Sequence, residues 1–584
     1  MSGVTSDTFP KPFARFPLLR VAAAILILGF ALLRGSPVAS QSGPADPTLS
    51  ADDVQAALRA AAGAINSNRL SVAVVDRGGR ILGVLARPGA GATGPDVAVT
   101  TARAAAMFSN AEAPLSTRTV RFISGIHLPP GVPNTPSAAL YGIENSNRGC
   151  QLDATDSQPL DATRSIAGSG LGGAALACRP SDPSGCAIGS AIAINRSATV
   201  RSGFSTGKNN VLDIGDPLDV PVNPGGFAVY RNGRVAGAVG VSGLDPDQAE
   251  FVAFAAAAST PGLSPLPSNP LPVPGAVFID GLRLPFFADC ISVACVEDTI
   301  RRGVPRAAAG AFSASDILVQ PRAGRVVPTG YVIGPFGSPN TGGLTVEDVR
   351  KIVDQAVAKA LLTRAQIRLP LTQPTRMVIA VSDQSGTLLA AFRMDDSTVF
   401  SFDVSTAKAR NAYYFSSREG YEVLREYVRT NPYDSYTWEP EPPAGQGWAI
   451  TNRTLGFGGQ PLFPPGIDLE KRPTPGPWFD LFLYDLTNPC TEGPGASRGA
   501  NRNYINQSGI VWFPGSAPLY KSGRLVGGVG VSGDGVEQDD YVTAAAVTGF
   551  DAPEELRVDH STIHTRDGVV RLPYWKFPRN PELR

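Results

Sequence analysis

The sequence has no excess of charge of either sign and very little histidine. Among 584 residues, 51 lysines and arginines balance 51 aspartates and glutamates, and charged residues make up only 17% of the chain. Proteins that bind nucleic acid or an anionic lipid surface carry a basic excess, so we expect neither partner. The three histidines are His127, His560 and His564. Their surroundings favour loop, strand or turn, and ligation of a metal is the weaker alternative.

The chain also lacks the cysteine spacing of a zinc site. No Cys-x-x-Cys occurs, and no histidine lies at zinc-finger spacing from a cysteine. Cys150 and Cys490 lie far apart in the sequence, whereas the other four cysteines enclose short loops. We predict two local disulfides, Cys178 with Cys186 and Cys290 with Cys295. A thiolate metal site and free buried thiols are the alternatives.

The apolar run near the N-terminus is too short to cross a membrane comfortably. Residues 21–33 number thirteen, whereas a spanning helix needs ~20. The run follows Arg15 and Arg20 and precedes small residues at 37–41, which is typical of a signal peptide cleaved after Ser40. We therefore predict a secreted or periplasmic protein in which residues 1–46 are a signal peptide and a short linker. An uncleaved N-terminal membrane anchor is the alternative.

Glycine and proline are abundant, and the chain repeats itself. The 63 glycines and 52 prolines have no collagen-like period, which indicates compact domains with long loops. At ~100–200 residues per domain the length allows two to four domains. Comparison of the chain with itself reduces this number to two related units.

The two units begin with the same capped helix and hairpin. Residues 49–54 match 344–349, and each segment has a Ser or Thr followed three residues later by Asp, a form of the capping box. A β-hairpin follows in both units, with Asp76 and Asp383 at the start of the turns. A carboxylate there accepts backbone N–H groups, and a catalytic carboxylate is the alternative.

Two further matches complete each unit. Residues 96–109 match 403–416 and predict a helix in each unit. The helix carries Arg103 in the first unit and Arg410 in the second, and either side chain could reach an anionic ligand. A plain surface arginine is the alternative. Residues 230–243 match 520–533 and predict a hairpin whose small residues suit close packing against another backbone. A helix near 246–258 or 536–547 then closes each unit.

Each unit is therefore predicted to be α+β, with an antiparallel sheet flanked by helices. Both units are interrupted by segments far longer than the usual ~4–6 residues of a loop, and a function peculiar to this protein is expected there. The predicted domains are 47–258 with an insertion at about 126–223, a Pro-rich linker at 259–343, a second unit at 344–549 with an insertion at about 427–513, and a tail at 550–584.

These motifs together resemble the GlcG/HbpS family, whose members have been linked to haem binding and haem degradation. The second unit is the closer match, because it has Lys408 where the first has Thr101, and the acidic pair 539–540 where the first has residues 249–250, Ala-Glu. The resemblance covers about half of the chain and misses the insertions, linker and tail. It implies a profilin-like fold that is usually oligomeric. Two linked copies could form the family's dimer within one chain, and a homo-oligomer of the whole chain is compatible with it.

The resemblance also implies a small-molecule ligand, most simply haem. Haem needs an apolar slot, an axial ligand, and cations or backbone N–H groups for its propionates. The candidate residues are Lys408, Arg410, Arg103, Gly530, Ser532, Gly533, Gly240, Ser242 and Gly243. We therefore expect an exported protein that binds haem or a related tetrapyrrole and meets a membrane only through an uncleaved N-terminal segment. The alternatives are an enzyme that degrades haem or transforms a small organic acid, and a non-catalytic scaffold that acts through its insertions.

Overall fold

The computed structural model describes most of the two predicted units. The described residues are 45–91, 94–112, 115–126, 128–129, 132, 135–143, 222–267, 278–279, 282–288, 313–370, 372–466, 474–487 and 509–583. The predicted signal peptide, His127 and all six cysteines lie outside these ranges, and with them the predicted cleavage site and disulfides. Among the described residues, no helix combines the length and the apolar character that crossing a membrane requires.

The helices and strands follow the predicted order. The first unit contains α1 (Ala51–Ala64), β1 (Ser71–Asp76), β2 (Ile81–Ala86), α2 (Gly94–Phe108), α3 (Thr117–Gly125), β3 (Gly226–Arg231), β4 (Arg234–Ser242) and α4 (Pro246–Ala258). The segment between the units carries β5 (Phe278–Ile279), β6 (Leu282–Arg283), β7 (Ile317–Val319) and β8 (Gly330–Ile333).

The second unit repeats this order and adds elements of its own. It contains α5 (Val346–Leu362), β9 (Val378–Asp383), β10 (Leu388–Arg393), α6 (Ser401–Ser416), α7 (Arg418–Arg429), β11 (Thr437–Glu439), α8 (Asn452–Gly458), α9 (Phe479–Thr487), β12 (Ser516–Lys521), β13 (Arg524–Ser532) and α10 (Val536–Ala546). The tail carries β14 (Thr562–Thr565) and β15 (Gly568–Arg571).

Each unit is built on one antiparallel sheet of five strands. The strand order is β3-β4-β1-β2-β7 in the first unit and β12-β13-β9-β10-β8 in the second. Both starting helices have the predicted capping box, in which Ser50 pairs with Asp53 and Thr345 with Asp348. The predicted α+β fold class is confirmed.

Helices cover both faces of each sheet because strand side chains alternate between the faces. In β1, Val72 and Val74 pack with α1 and α4, whereas Ala73 and Val75 pack with α2. In the second unit, α5 and α10 pack on one face of the sheet, and α6 packs on the opposite face.

The segment predicted as a linker is partly structural. Its strand β7 pairs with β2 and completes the first sheet, and β8 pairs with β10 and completes the second. A short tail sheet has the order β11-β14-β15. Residues 259–343 and 550–584 thus add strands to the fold. The sequence does not predict these strands, because three or four residues in a Pro- and Gly-rich segment are too few to show an alternating pattern.

The two units share an apolar core. The rings of Phe108 and Phe400 stack with their centroids 4.4 Å apart. The N–H groups of Val399 and Phe400 both donate to the carbonyl oxygen of Met107, at 3.0 and 3.2 Å. Helix α6 of the second unit contributes Phe402, Val404 and Ala407 to this core.

Candidate functional site

Asp76 and Asp383 each hold a hairpin turn. Oδ1 of Asp76 accepts hydrogen bonds from the N–H groups of Gly78 and Arg80 at 3.1 and 2.9 Å. Oδ1 of Asp383 accepts from the two equivalent N–H groups at 2.8 and 3.0 Å. Burial raises the pKa of both carboxyl groups. The interpretation of these residues as turn anchors is confirmed.

Arg103 and Arg410 lie fully buried against the same turns. Nε of Arg103 donates to the carbonyl oxygen of Gly79 at 2.8 Å, and Nε of Arg410 donates to that of Gly386 at 2.8 Å. The two contacts are equivalent in the repeat. Holding the turn explains why both helices carry arginine here, and contact with a ligand stays a prediction.

Gly240 and Gly530 lie at the centre of their sheets. Strands β4 and β13 each pair with a neighbour on both sides at these residues. A Cβ at Gly240 would overlap the main chain of α2, and a Cβ at Gly530 would overlap the carbonyl oxygen of Ser405 in α6. The structure therefore gives these glycines a packing role, and contact between their amides and a ligand stays a prediction.

The two strand ends differ between the units. In the first, Ser242 Oγ donates to the carbonyl oxygen of Gly94 at 2.6 Å, and Gly243 has φ +80°. In the second, Ser532 Oγ is buried and has no hydrogen-bond partner among the described residues. Ser532 and Gly533 line a small cavity between the units.

Lys408 forms a buried ion pair at that cavity. Its Nζ donates to Asp539 Oδ2 at 2.9 Å and to the carbonyl oxygen of Val531 at 2.8 Å, and it lies 4.8 Å from the centroid of the Phe513 ring. Burial lowers the pKa of Lys408 and raises that of Asp539 to about 7, and the charge of each partner opposes the shift of the other. The first unit has Thr101 and an alanine at these two positions.

This cavity is too small for a tetrapyrrole. Its volume is about 20 Å³, enough for one water molecule. The side chains of Phe108 and Phe400 lie in its wall, and Asp539 Oδ1 has no partner among the described residues. The predicted residues Ser532 and Gly533 thus line a nearly filled space, and Lys408 is linked to it through Asp539.

A much larger cavity lies on the other side of Val536, which lines both spaces. Its volume is about 530 Å³, within the ~300–1,000 Å³ of typical ligand pockets. Its walls are formed by side chains from α8, α9 and the start of α10, from the segments before β12 and after β15, and from the first insertion. The aromatic members of this lining are Tyr141, Phe457, Phe482, Trp512 and Trp575.

Charged groups lie beside these aromatic side chains. Arg453, Lys576 and Glu537 line the cavity. Arg453 Nε donates to the buried carboxylate of Asp540, whereas Arg453 Nη2 is buried with no partner among the described residues. Gln460 also lines the cavity, and its Oε1 has no partner there. The site therefore combines an apolar slot with unsatisfied polar atoms.

The tail histidines lie apart from one another in the local structure. His560 ends a 3₁₀ helix, Val558–His560, and His564 lies in β14. They do not share a helical face, in agreement with the strand or turn expected from the sequence. Within the described part of the chain, no cluster of three or more His, Cys, Asp and Glu could hold a metal ion.

The cavity residues were not predicted, although the sequence holds a signal for them. Residues 116–119, Ser-Thr-Arg-Thr, match 451–454, Thr-Asn-Arg-Thr, and both matched segments begin a helix with a capping box. Residues 284–287, Leu-Pro-Phe-Phe, match 572–575, Leu-Pro-Tyr-Trp. The first of these short matches lies at a larger offset than the long ones because the second unit has α7 and β11 ahead of α8.

One protein-family model matches the second unit. The family described as "Haem degrading protein HbpS-like" matches residues 344–463 and 479–548, about a third of the chain. Both matched segments belong to the second unit. A comparison with curated proteins finds no match.

Solved structures include two that are similar to part of this chain. A crystal structure of a PduOC:haem complex is 19% identical, with a TM-score of 0.20, and covers 36% of this chain and 97% of that chain. A crystal structure of the Klebsiella pneumoniae protein ORFY is 20% identical, with a TM-score of 0.20, and covers 37% and 97%. The family model confirms the resemblance for the second unit, whose residues 344–463 and 479–548 are similar to HbpS-like proteins.

Proposed function

We propose that the protein binds haem or a related tetrapyrrole in the large cavity beside the second unit. The observation that carries this proposal is a space of about 530 Å³ with five aromatic side chains in its lining. Aromatic walls suit a flat, apolar ring system. The similarity of this unit to a family described as haem degrading supports the choice of ligand.

The residues of the cavity fit such a ligand. The flat apolar surfaces of Trp512 and Trp575 can contact the ring, and the unsatisfied guanidinium nitrogen of Arg453 supplies a cation for the polar edge. Ferric haem carries an iron that takes an axial ligand, and a tyrosine oxygen is one known ligand type. Tyr141 is the phenol of this lining, and no histidine, cysteine or methionine is among the described lining residues.

A titration with hemin tests the proposal. The purified mature chain should give a shifted Soret band, and haem should quench the fluorescence of Trp512 and Trp575 because both line the cavity. Ala138→Trp places a large side chain in the cavity wall and should weaken binding at least tenfold. Ala358→Trp on the exposed face of α5 is the matched control. Absence of a Soret shift in the wild type would overturn the proposal.

The same sample separates binding from degradation. A binding protein keeps its Soret band when ascorbate and dioxygen are added, and this is the result we expect. Progressive loss of the band, with a chain-dependent rate, would instead identify a haem-degrading enzyme. If hemin leaves both spectra unchanged, partner binding through the insertions becomes the function to test.

We also propose that the mature chain is exported. The basic residues, short apolar run and small residues of the first 41 positions support this proposal. Mass spectrometry of protein recovered from the host's extracytoplasmic fraction should find an N-terminus after Ser40. A full-length chain in the cytoplasmic fraction would contradict export.

A further inference from the structure

The duplicated helices α3 and α8 carry an arginine at the same position. Arg118 lies in the segment 116–119 and Arg453 in the matching segment 451–454. In both units the two capping hydroxyls also donate to a main-chain segment from outside the sheet: Thr119 to the carbonyl oxygen of Pro285 at 2.6 Å and Thr454 to that of Pro573 at 2.7 Å. The surroundings of the two arginines are therefore comparable.

Arg118 in the first unit is paired with two carboxylates. Its Nε and Nη2 donate to the two carboxylate oxygens of Glu250, each at 2.8 Å, and Nη2 also donates to Asp247 at 2.7 Å. Glu250 is fully buried. This fork-to-fork geometry uses the guanidinium group for structure.

Arg453 in the second unit is only partly used. Asp540 takes the place of Glu250, but its side chain is one methylene shorter. Of the guanidinium nitrogens of Arg453, only Nε donates to Asp540. Its other oxygen, Oδ1, accepts from the N–H of Gly515 at 3.0 Å. Arg453 Nη2 is left without a partner among the described residues, and the side chain lines the large cavity.

A second substitution removes the other carboxylate from this arginine. Glu537 takes the place of Asp247, but it pairs with the Nζ of Lys576. The first unit has Ala288 at the position of Lys576, so Asp247 is free of such a competitor. Lys576 thus draws away the carboxylate that would otherwise saturate Arg453.

We propose that Arg453 binds a carboxylate of the ligand, and that Lys576 keeps it available by pairing with Glu537. This inference rests on the proposed ligand site and narrows it to planar ligands that carry a carboxylate. Because Arg118 is already paired with Glu250 and Asp247, the described residues offer such an anion site in the second unit and not at the matching arginine of the first. A buried N–H group without a hydrogen-bond partner is costly, and a ligand carboxylate would give Arg453 Nη2 the partner that it lacks among the described residues.

The ligand itself gives the first test. Hemin and its dimethyl ester share the ring and the iron, but the ester has no carboxylate. We expect the wild-type protein to bind the ester about 10- to 100-fold more weakly, the effect of losing one charge-assisted hydrogen bond. Equal affinity for both compounds would overturn this inference while the proposed function stands. Failure to bind either compound would overturn both.

Variants of the arginine give the second test. Arg453→Lys keeps the charge beside Asp540 but removes the planar fork, and should weaken hemin about tenfold while the ester is unaffected. Arg118→Lys is the matched control in the first unit and should leave both affinities unchanged in the folded protein. Circular dichroism of each variant establishes that it is folded, and the comparison of hemin with its ester needs no variant. An equal loss for hemin and ester in Arg453→Lys would contradict a carboxylate contact.

Glu537 gives a third test, of opposite sign. Glu537→Gln removes the carboxylate that Lys576 holds, so hemin affinity should stay equal or rise. Lys576→Ala releases Glu537 toward Arg453 and should lower hemin affinity severalfold. In the double variant Lys576→Ala with Glu537→Gln, most of that loss should disappear. A double variant as weak as Lys576→Ala would show that Lys576 acts by itself and would overturn its part in the proposal.

Discussion

At the scale of single residues, the two units have diverged at positions that remain equivalent in the fold. Lys408 and Asp539 of the second unit replace Thr101 and Ala249 of the first, and they form a buried ion pair. Arg118 and Arg453 keep the residue type but differ in what they bind. A duplicated chain can therefore be interpreted by comparing it with itself, because one copy serves as the reference for the other.

The Asp539 carboxyl should make stability depend on pH. Burial raises its pKa to about 7 in the folded protein, against 3.8 for an exposed carboxyl. Between these values the folded state binds the proton more tightly than the unfolded state, so the free energy of unfolding contributed by this group falls as pH rises from about 4 to 7. Asp539→Asn should remove that decrease. Urea unfolding at pH 5 and pH 8 measures it, and equal pH dependence in both proteins would contradict the assignment.

Residue-level function was only partly predictable. Lys408, Ser532 and Gly533 were expected at a ligand site. Ser532 and Gly533 line a cavity of about 20 Å³, and Lys408 is linked to it through Asp539. This cavity is small because Phe108 and Phe400 stack across the two units and lie in its wall. No local sequence pattern specifies that contact. The larger cavity depends on Tyr141, Phe482 and Trp575, which come from three separated segments.

At the scale of elements, the glycine-rich strands β4 and β13 fix how closely a helix can approach the sheet. Helix α6 lies so near β13 that a Cβ at Gly530 would overlap the Ser405 carbonyl oxygen and approach the main-chain N of Ala409 at 2.6 Å. Both neighbours are backbone atoms, so they cannot rotate away. The alternating small residues of the sequence predicted this packing correctly.

Gly530→Ala should therefore be strongly destabilising. Overpacking against a fixed backbone costs at least about 2 kcal/mol, and urea unfolding should show that loss. Gly125→Ala at the end of α3 is the control, because a Cβ there meets nothing within 4 Å. A cost for Gly530→Ala no larger than that of the control would mean that α6 and β13 do not lie in such close contact.

Elements whose apolar residues recur at regular spacing, or which begin with a capping residue, were predictable from the sequence. Elements without such a signal were not. The capped helices α1 and α5 and the paired hairpins were identified from side-chain spacing alone. The edge strands β7 and β8 were assigned to a linker, because strands of three and four residues are too short to show alternation. Tertiary pairing with β2 and β10 decides their structure.

At the scale of the whole molecule, partly buried ion pairs connect the two units. Arg368 Nη1 pairs with Glu112 of the first unit at 3.1 Å and with Asp396 of the second at 2.7 Å, and its Nε pairs with Asp534. Arg234 of the first unit pairs with Asp395 of the second at 2.6 Å. These pairs and the shared apolar core make one folded body of the two repeats.

Arg368→Met should destabilise the whole molecule by about 3–5 kcal/mol, because it leaves buried carboxylates without a cation. Arg418→Met, which breaks an exposed pair on α7, should cost less than about 1 kcal/mol.

All five tryptophans lie in the second half of the chain, so their fluorescence reports on the second unit and far-ultraviolet circular dichroism on both. Wild-type urea transitions followed by the two signals should coincide. Separate transitions would contradict a single body.

The central claim is that the chain holds one tetrapyrrole, in the cavity of the second unit. Titration of the purified mature protein with hemin, followed by Soret absorbance and tryptophan fluorescence together, tests it most directly. We predict saturation at one haem per chain, with both signals reaching their end point together and both affinities falling at least tenfold in Ala138→Trp. Saturation at two equivalent haems per chain, or a titration unchanged by Ala138→Trp, would contradict it.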